Sequence, residues 1–484
     1  MTQRNVSAKP RSTMTSQPPC AASRDGTPRT TRGAAAVVRR RFMHPAKTPF
    51  LAVRDLARRL RGDAADFDAL IDMADDADVV LLGESTHGTD EFYRMRARIT
   101  ARLVDECGFD TIAIEGDWPD AWRVNRYVQG DAAIADADAA LADFTRFPAW
   151  MWRNRPMREF VGWLRERNAT LPRQSRSGVY GLDLYSLYRC ADAVIRYLDD
   201  VDPGQAELAR QRYAALDHVR EPSAYGYAVA SGARPAATAG ALEQLRQLRE
   251  REAAYLAHDG IDALDVLDAQ FFAEHNAQVV VNAEAYYRAM FGSRANTWNL
   301  RDAHMRDTLF ALRRHRVRGG GAGRAVVWAH NSHVGDARAT EMHLRGEWTL
   351  GQLVREALGE RALSIGFTAY TGHVSAASHW DGDVEQKWMR PALPGSYEHL
   401  FHATGLDRFF LPLRETVAQP LGEALLERAI GVIYLPQTER GSHYFVSSIT
   451  GQFDALFHLD ETSPLEPLAP PGAWHPREEP VSAP

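Results

Sequence analysis

The chain has 484 residues, enough for about two or three compact units, and its composition is that of a soluble globular protein. A net charge of −6 argues against nucleic acid or an anionic membrane as the main partner. No apolar run reaches transmembrane length, and the three cysteines form no CxxC pair, so we expect a cytoplasmic protein without a disulfide framework or a thiolate zinc site.

The two ends of the chain differ in composition from the rest. Residues 1–45 are rich in Arg, Ser, Thr, Pro and Ala, which predicts a disordered basic tail. No apolar segment follows the basic run at 39–41, so this tail is not a secretory signal. The remaining residues, 46–484, are predicted to form the main domain, and their last part, 465–484, is rich in Pro and Glu, which predicts a loose C-terminal tail.

Between the tails, short apolar runs alternate with longer segments of helical periodicity. The runs that predict strands are 78–84, 111–117, 178–184, 325–331, 364–370 and 431–436. They are apolar throughout, which is typical of strands that are buried on both faces. Strands separated by helices predict an α/β fold with a mainly parallel central sheet flanked by helices.

The stretch from about 186 to 318 has a different pattern. Its segments 206–217, 241–257 and 277–291 all have helical periodicity, and no strand is predicted between them. We therefore expect an all-helical insertion that forms a cap on the sheet, with the substrate-selecting residues in it.

Polar side chains follow the apolar runs at a consistent place. The acids and imidazoles concerned are Glu84, His87, Glu115, Asp117, Asp183, His330 and His333. Ligands bind outside the carboxyl ends of the strands in an open parallel sheet, so we expect these side chains to meet in one cleft. The helix that follows His87 would also present free backbone N–H groups to a developing oxyanion.

Several chemistries fit such a cleft. "GESTHG" resembles a nucleophile elbow, with Ser85 as the nucleophile, although the last glycine of that motif is replaced by His87. A divalent metal held by His87, Glu84, Glu115 and His330 is another possibility, and no ligand spacing fixes it. The third possibility is that a histidine acts directly as a general base on water, and a non-catalytic binding protein is the remaining class.

A set of ordered motifs resembles the erythromycin esterase family. They span roughly residues 50 to 462 and read "LLGESTHGTDEFYRMR", "AIEGDWPDAWRVNRYV", "YGLDLYSL", "AEAYYRAMF", "WNLRDAHM", "WAHNSHVGD" and "FDALFHLDET". The resemblance implies an α/β fold with helical additions and hydrolysis of the macrolactone ester of macrolides by activated water.

The resemblance also implies roles for individual residues. His87 would be the general base, Glu84 and Glu115 would polarise it and the water, and Arg96 occupies the place of the family's active-site arginine. His330 and His333 would form the opposite wall, with Asp117 and Asp183 as substrate-binding acids. We interpret Arg301 and Asp302 as structural and His304 as non-catalytic.

The sequence thus predicts a hydrolase that cleaves a macrolactone-type ester through histidine-activated water, with macrolide resistance as a consequence. The alternative is a metal-dependent hydrolase of a non-macrolide substrate. We expect no cofactor in the first case and a divalent metal in the second. The expected partner is a small-molecule ester, with no nucleic acid and no membrane, and the oligomeric state is not predicted.

Overall fold

In the central strands, successive side chains pack into two different cores. Val80, Leu82 and Ile112 belong to one core, and Val79 and Leu81 belong to the other. Side chains alternate between the two faces of a strand, so a run that is apolar at every position is buried on both faces. This alternation places the sheet at the centre of the molecule.

The computed structural model describes residues 48–216, 221–257, 263–291, 294–414 and 416–468. These residues belong to one compact unit. The predicted basic tail 1–45 and residues 469–484 lie outside the described residues. Residues 465–468 are the start of the predicted C-terminal tail, and there Leu465 is buried and its amide donates to the Gly88 carbonyl at 2.8 Å.

The strands form one large sheet and one small one. In chain order they are β1 (Arg58–Arg59), β2 (Val79–Leu82), β3 (Thr111–Asp117), β4 (Gly178–Asp183), β5 (Ala325–Trp328), β6 (Ala362–Ala376), β7 (Glu385–Met389), β8 (Arg408–Pro412), β9 (Leu425–Arg428), β10 (Tyr444–Ser447) and β11 (Ala455–Thr462). The large sheet has the order β1-β8-β11-β6-β2-β5-β3-β4, and β7 pairs with β6. The strands from β11 to β4 in this order are parallel, whereas β7, β8 and β1 pair antiparallel with their neighbours.

The helices before and after the insertion flank this sheet. Those before it are α1 (Pro49–Leu56), α2 (Asp68–Met73), α3 (Asp90–Glu106), α4 (Trp118–Gln129), α5 (Ala137–Leu141) and α6 (Arg155–Ala169). The insertion contains α7 (Leu187–Val201), α8 (Pro203–Tyr213), α9 (Pro222–Ala230), α10 (Thr238–Glu250), α11 (Glu252–Leu256), α12 (Ala263–Ala289) and α13 (Arg294–Arg318). After it come α14 (Asn331–Val334), α15 (Leu350–Leu358), α16 (Tyr397–Ala403), α17 (Glu439–Ser442) and α18 (Ile449–Gln452).

The predicted fold class is confirmed, including the all-helical insertion. Helices α3 and α6 pack on one face of the sheet, and the insertion helices pack on the other face. None of the helices among the described residues is long and apolar enough to cross a bilayer.

One predicted strand is wrong. Residues 431–436 form no strand, and only Ile433 makes an isolated bridge, with Ala377. The segment lies between the two strands of the small β9–β10 sheet, where Gly431 and Val432 line a cavity instead of joining the large sheet.

Candidate active site

The carboxyl ends of β2, β3, β4 and β5 open onto a cavity of about 800 Å³. Six of the predicted site residues line it: His87, Glu115, Asp117, Asp183, His330 and His333. They come from four different strands, and parallel pairing brings these strand ends to the same edge of the sheet. The other two, Glu84 and Arg96, are buried behind His87 and do not line the cavity.

The turn after β2 fixes the position of His87. A Cβ atom on Gly88 would lie 1.8 Å from the Ser375 carbonyl oxygen, so only glycine lets the turn approach β6 this closely. The Ser375 amide donates to the Gly88 carbonyl at 2.9 Å, and the His87 amide donates to the Ile430 carbonyl at 3.3 Å. The imidazole therefore projects from a turn that is anchored on both sides.

A chain of three charged or ionisable side chains leads to the cavity. Arg96 Nη2 donates to Glu84 Oε2 at 2.7 Å, and Glu84 Oε1 lies 2.9 Å from His87 Nδ1. The Arg96 guanidinium is fully buried, 4.4 Å from the Tyr93 ring centroid and 5.1 Å from that of Trp328. A carboxylate only accepts hydrogen bonds, so Glu84 holds the His87 proton on Nδ1 and leaves Nε2 as an acceptor.

The expectation that the α3 N-terminus faces the oxyanion is wrong. The helix begins at Asp90, whose amide donates to the Ser463 carbonyl at 3.1 Å, and no α3 residue lines the cavity. Because α3 begins at Asp90, Arg96 lies less than two helical turns from its start, and its side chain lies under the turn that follows β2. Arg96 thus contacts Glu84 and does not reach the cavity.

His330 lies beside His87, with 4.8 Å between the two ring centroids. The Ser332 amide donates to His330 Nδ1 at 3.2 Å, so a neutral ring carries its proton on Nε2. Burial, together with the nearby His87, lowers the pKa of His330 to about 3. The residue is therefore a neutral imidazole at ordinary pH.

Arg301 of α13 connects the insertion to the strand ends. Its Nε and Nη2 donate to the two Asp183 oxygens at 3.0 and 2.6 Å, and Nη2 also donates to Glu115 Oε1 at 2.7 Å. Arg301 also lines the cavity, so it is placed to contact a substrate in addition to the structural role that we predicted. The partners lie 118 and 186 positions away in sequence, so the motif "WNLRDAHM" alone does not reveal these contacts.

His333 lies between Arg301 and a second carboxylate. Its Nδ1 is 3.0 Å from both oxygens of Asp302, and its Nε2 lies 3.0 Å from Arg301 Nη1. Burial opposes a charge on this imidazole, but Asp302 and Glu115 outweigh burial and raise its pKa. Trp298 stacks on the ring with 4.5 Å between centroids, so α13 contacts His333 through three side chains.

Glu115 is an ionised carboxylate at the centre of this wall. Burial alone would raise its pKa, but the neighbouring His333 and Arg301 outweigh burial and hold it well below the usual range. Its Oε2 accepts the His330 backbone amide at 2.8 Å. Glu115 thus joins β3 to the turn after β5 and contributes a negative charge to the cavity.

Asp117 pairs with Arg146, which the sequence did not single out. Arg146 Nε and Nη2 donate to the two Asp117 oxygens at 2.9 and 3.1 Å. Burial alone would raise the pKa of Asp117, but this arginine outweighs burial and lowers it. The Arg146 guanidinium lies 4.6 Å from the Tyr185 ring centroid, and both residues line the cavity.

The sequence analysis considered three further residues, Ser85, His304 and Asp302. Ser85 is buried and does not line the cavity, and its carbonyl accepts the Ile430 amide at 2.8 Å. His304 is buried outside the cavity, with its Nδ1 2.7 Å from the Asn282 side-chain nitrogen. Asp302 also accepts the Leu350 amide at 2.7 Å, so it anchors His333 and α15 together.

Within the described ranges, no group of three or more His, Cys, Asp or Glu side chains is arranged to hold a metal ion. In the set of four named for a metal, Glu84 already uses both oxygens on His87 and Arg96, and His330 Nδ1 accepts the Ser332 amide. The oxygens of Glu84 and the Nδ1 atoms of His87 and His330 therefore face protein partners.

Comparisons with known proteins agree with the resemblance seen in the motifs. The profile of the erythromycin esterase family matches residues 104–462. A similar curated protein is "Erythromycin esterase type II" of Escherichia coli, which is 20% identical over 83% of this chain and 93% of its own length.

Three solved structures share the fold. A Bacillus cereus protein has a TM-score of 0.71 at 22% identity, covering 87% of this chain and 98% of its own. A succinoglycan biosynthesis protein has a TM-score of 0.69 at 21% identity, covering 86% of this chain and 97% of its own. A histidine-to-asparagine variant of the erythromycin esterase EreC in its open conformation has a TM-score of 0.60 at 16% identity, covering 83% and 94%.

The family match covers most of the chain and includes the strands and helices that form the cavity from β3 onwards. The chain belongs to the erythromycin esterase family and is a hydrolase of ester bonds.

Proposed function

We propose that this protein hydrolyses a macrolactone-type ester by direct attack of a water molecule that His87 activates. The observation that carries the proposal is the hydrogen-bonded chain from Arg96 through Glu84 to His87 Nδ1. It leaves Nε2 of a cavity-lining imidazole free to take a proton, which is the requirement for a general base.

In the proposed reaction, an O–H bond of water breaks and its proton moves to His87 Nε2 as the oxygen bonds to the ester carbonyl carbon. The tetrahedral intermediate then collapses, its bond to the alkoxy oxygen breaks, and that oxygen takes up the proton. The products are an alcohol and a carboxylic acid, which loses its proton to solvent water, and in a macrolactone the two remain joined as one ring-opened hydroxy acid. Glu84 stabilises the imidazolium that forms in between, in the manner of the carboxylate in a catalytic triad.

The opposite wall supplies positive charge for the intermediate. Arg301 lines the cavity, and His333 beside it has a raised pKa. A negative charge that develops on the carbonyl oxygen is stabilised most by donors that are already held in place. We assign this role to Arg301, with Asp183, Glu115 and His333 as the groups that hold it.

The substrate class follows from the size of the cavity and from the relatives. A cavity of about 800 Å³ lies in the upper part of the range of about 300–1,000 Å³ that is typical of drug-sized ligands. Two of the similar proteins are called erythromycin esterases. Opening of a macrolactone ring would inactivate such an antibiotic, so we propose macrolide resistance as the biological consequence.

Mass spectrometry of a macrolide panel tests this function. The protein is expected to add the mass of one water to at least one macrolactone, also after exhaustive treatment with a chelator. His87→Ala should give no product, whereas the exposed-histidine control His373→Ala should behave as wild type. Activity that disappears on chelation and returns with one metal ion would contradict the metal-free reaction.

A further inference from the structure

Trp298, near the start of α13, lines the active-site cavity beside His333. Its indole and the imidazole of His333 are nearly parallel, with 6° between the ring planes and 4.5 Å between the centroids. The indole Nε1 donates to the Trp348 carbonyl at 2.8 Å, so the indole is itself held in one orientation. Trp298 therefore covers one face of the His333 ring and leaves the two ring nitrogens to other partners.

The two nitrogens of His333 bond neighbouring residues of α13. Nδ1 lies 3.0 Å from both oxygens of Asp302, and Nε2 lies 3.0 Å from Arg301 Nη1. A carboxylate only accepts and a guanidinium only donates, so the neutral ring carries its proton on Nδ1 and accepts at Nε2. Hydrogen bonds are directional, so the ring makes both contacts only in this orientation.

The donors of Arg301 show what this orientation achieves. A guanidinium has five N–H groups. The Nε group donates to Asp183, and the two groups on Nη2 donate to Asp183 and Glu115. One Nη1–H donates to His333, so the other Nη1–H is the one donor of this guanidinium without an acceptor in the part of the chain that the structure describes. The nitrogen that keeps a donor for the substrate is thus the nitrogen that His333 holds.

Glu115 offers His333 a competing arrangement. Its Oε1 lies 3.5 Å from His333 Nε2, so the ring would have to move to form a good hydrogen bond with it. A ring with its proton on Nε2 would donate to this carboxylate, and Arg301 would then lose its acceptor. The parallel indole of Trp298 occupies the space on one side of the ring, and closely packed aromatic faces oppose such a movement.

We propose that Trp298 is a positioning residue, because its indole holds the His333 ring in the orientation that accepts from Arg301 and so directs the remaining Nη1–H of Arg301 to the carbonyl oxygen. The proposal rests on the proposed function, in which Arg301 stabilises the tetrahedral intermediate. Donors stabilise a developing oxyanion most when they are already held in place before the reaction. Loss of the indole should therefore lower kcat and leave KM nearly unchanged.

Nitrogen-15 NMR of histidine-labelled protein tests the orientation without any substrate. At a pH where the ring is neutral, wild type should show His333 as one tautomer with its proton on Nδ1. Trp298→Phe should keep this tautomer, since a phenyl ring still covers the face, whereas the two nitrogen resonances should move toward each other in Trp298→Leu as the tautomers mix. His333→Gln identifies the resonances, and thermal unfolding checks that each variant is folded. An unmixed tautomer in Trp298→Leu would overturn the proposal.

A double-mutant cycle on ester hydrolysis tests the link to Arg301. Trp298→Leu should lower kcat/KM by about 10-fold in wild type but by less than ~2-fold in Arg301→Lys, because residues that act through one another are not additive. Trp380→Leu is the control, since Trp380 lines the cavity but contacts Phe147, and its effect should be the same in both backgrounds. Additive effects of Trp298→Leu and Arg301→Lys would overturn the proposal. Tautomer mixing in Trp298→Leu, together with a wild type that hydrolyses no ester, would support the positioning of His333 and contradict the proposed function.

Discussion

Arg96 and Glu84 form an ion pair at 2.7 Å in which the side chains are only 0% and 1% exposed. The pair lies directly behind His87, and the other Glu84 oxygen holds the Nδ1 of that imidazole. Three residues of one motif thus form a line from the protein interior to the cavity. The orientation of the proposed base depends on a charge pair that the substrate does not touch.

Replacing Arg96 by methionine should affect both folding and catalysis. Removing one partner of a buried ion pair leaves the other charge uncompensated, at a cost of roughly 3–5 kcal/mol in the free energy of unfolding. Urea unfolding and kcat measure the two effects. Arg94→Met on the same helix is the control, because its ion pairs are partly exposed and should contribute at most about 1 kcal/mol. Equal effects of the two substitutions would contradict the positioning role of Arg96.

Replacing Arg301 by lysine tests the role of this arginine in the cavity wall opposite His87. Lysine keeps the charge but cannot reproduce the fork that binds Asp183 and Glu115 together. We expect kcat/KM to fall by about 10²-fold, as for the loss of one oxyanion donor, and further with Arg301→Gln. Arg306→Lys on the same helix, outside the cavity, should change it by less than ~2-fold. A fully active Arg301→Lys enzyme would restore the structural interpretation of this residue.

The Asp302→Asn substitution should lower the pKa of His333. Burial lowers this pKa and the Asp302 carboxylate raises it, so losing the negative charge removes part of the rise. The imidazole then loses its proton at a lower pH than in wild type. NMR titration of histidine-labelled protein measures the shift, with His333→Gln to identify the resonance. An unchanged or higher midpoint would show that Asp302 does not govern the His333 charge.

The buried Glu427 should make the free energy of unfolding depend on pH. Burial raises its pKa to about 8, and in the interior its Oε2 accepts a hydrogen bond from Ser447 Oγ at 2.6 Å. A carboxyl whose folded pKa is raised stabilises the fold fully below its unfolded value of about 4.3 and loses that contribution as pH rises through the folded value. Thermal unfolding should therefore show wild type losing stability relative to Glu427→Gln between about pH 4.5 and 8, by up to about 1.4 kcal/mol per pH unit.

The exposed glutamate Glu360 supplies the control for this pH dependence. Glu360→Gln should follow the wild-type stability curve over the whole range. If Glu427→Gln also runs parallel to wild type, the buried Glu427 does not titrate in this window, and its hydrogen bonds then hold it in one protonation state throughout.

The sequence predicted the parts of the fold whose physical signal is local. The runs that became β2 to β6 are mainly apolar on both faces because both faces are buried. Residues 431–436 have the same composition, but they are apolar because they line and support a cavity. Composition alone does not distinguish these two kinds of burial. Strands β8 and β11, which pair antiparallel with each other, were not predicted.

The candidate site likewise has residues that the sequence predicts and residues that it does not. Residues directly after a strand were predicted because parallel pairing brings strand ends together whatever the register. Arg301 and Arg146 were missed as site residues, since their positions depend on how α13 and the loop before α6 pack over the sheet. The placement of Arg96 behind the cavity depended on where α3 begins, which spacing within the motif does not fix. Long-range packing therefore decided every departure from the predicted site.

The most direct test of the central claim is chemical rescue of the His87→Ala variant by imidazole, measured as kcat/KM on an ester that wild type hydrolyses. If His87 is the base, the variant should lose at least ~10²-fold in rate, a typical contribution of general-base catalysis. Added imidazole should then restore activity in His87→Ala but not in His87→Gln, whose side chain fills the space. A His87→Ala enzyme that keeps the wild-type kcat/KM without imidazole would contradict the account.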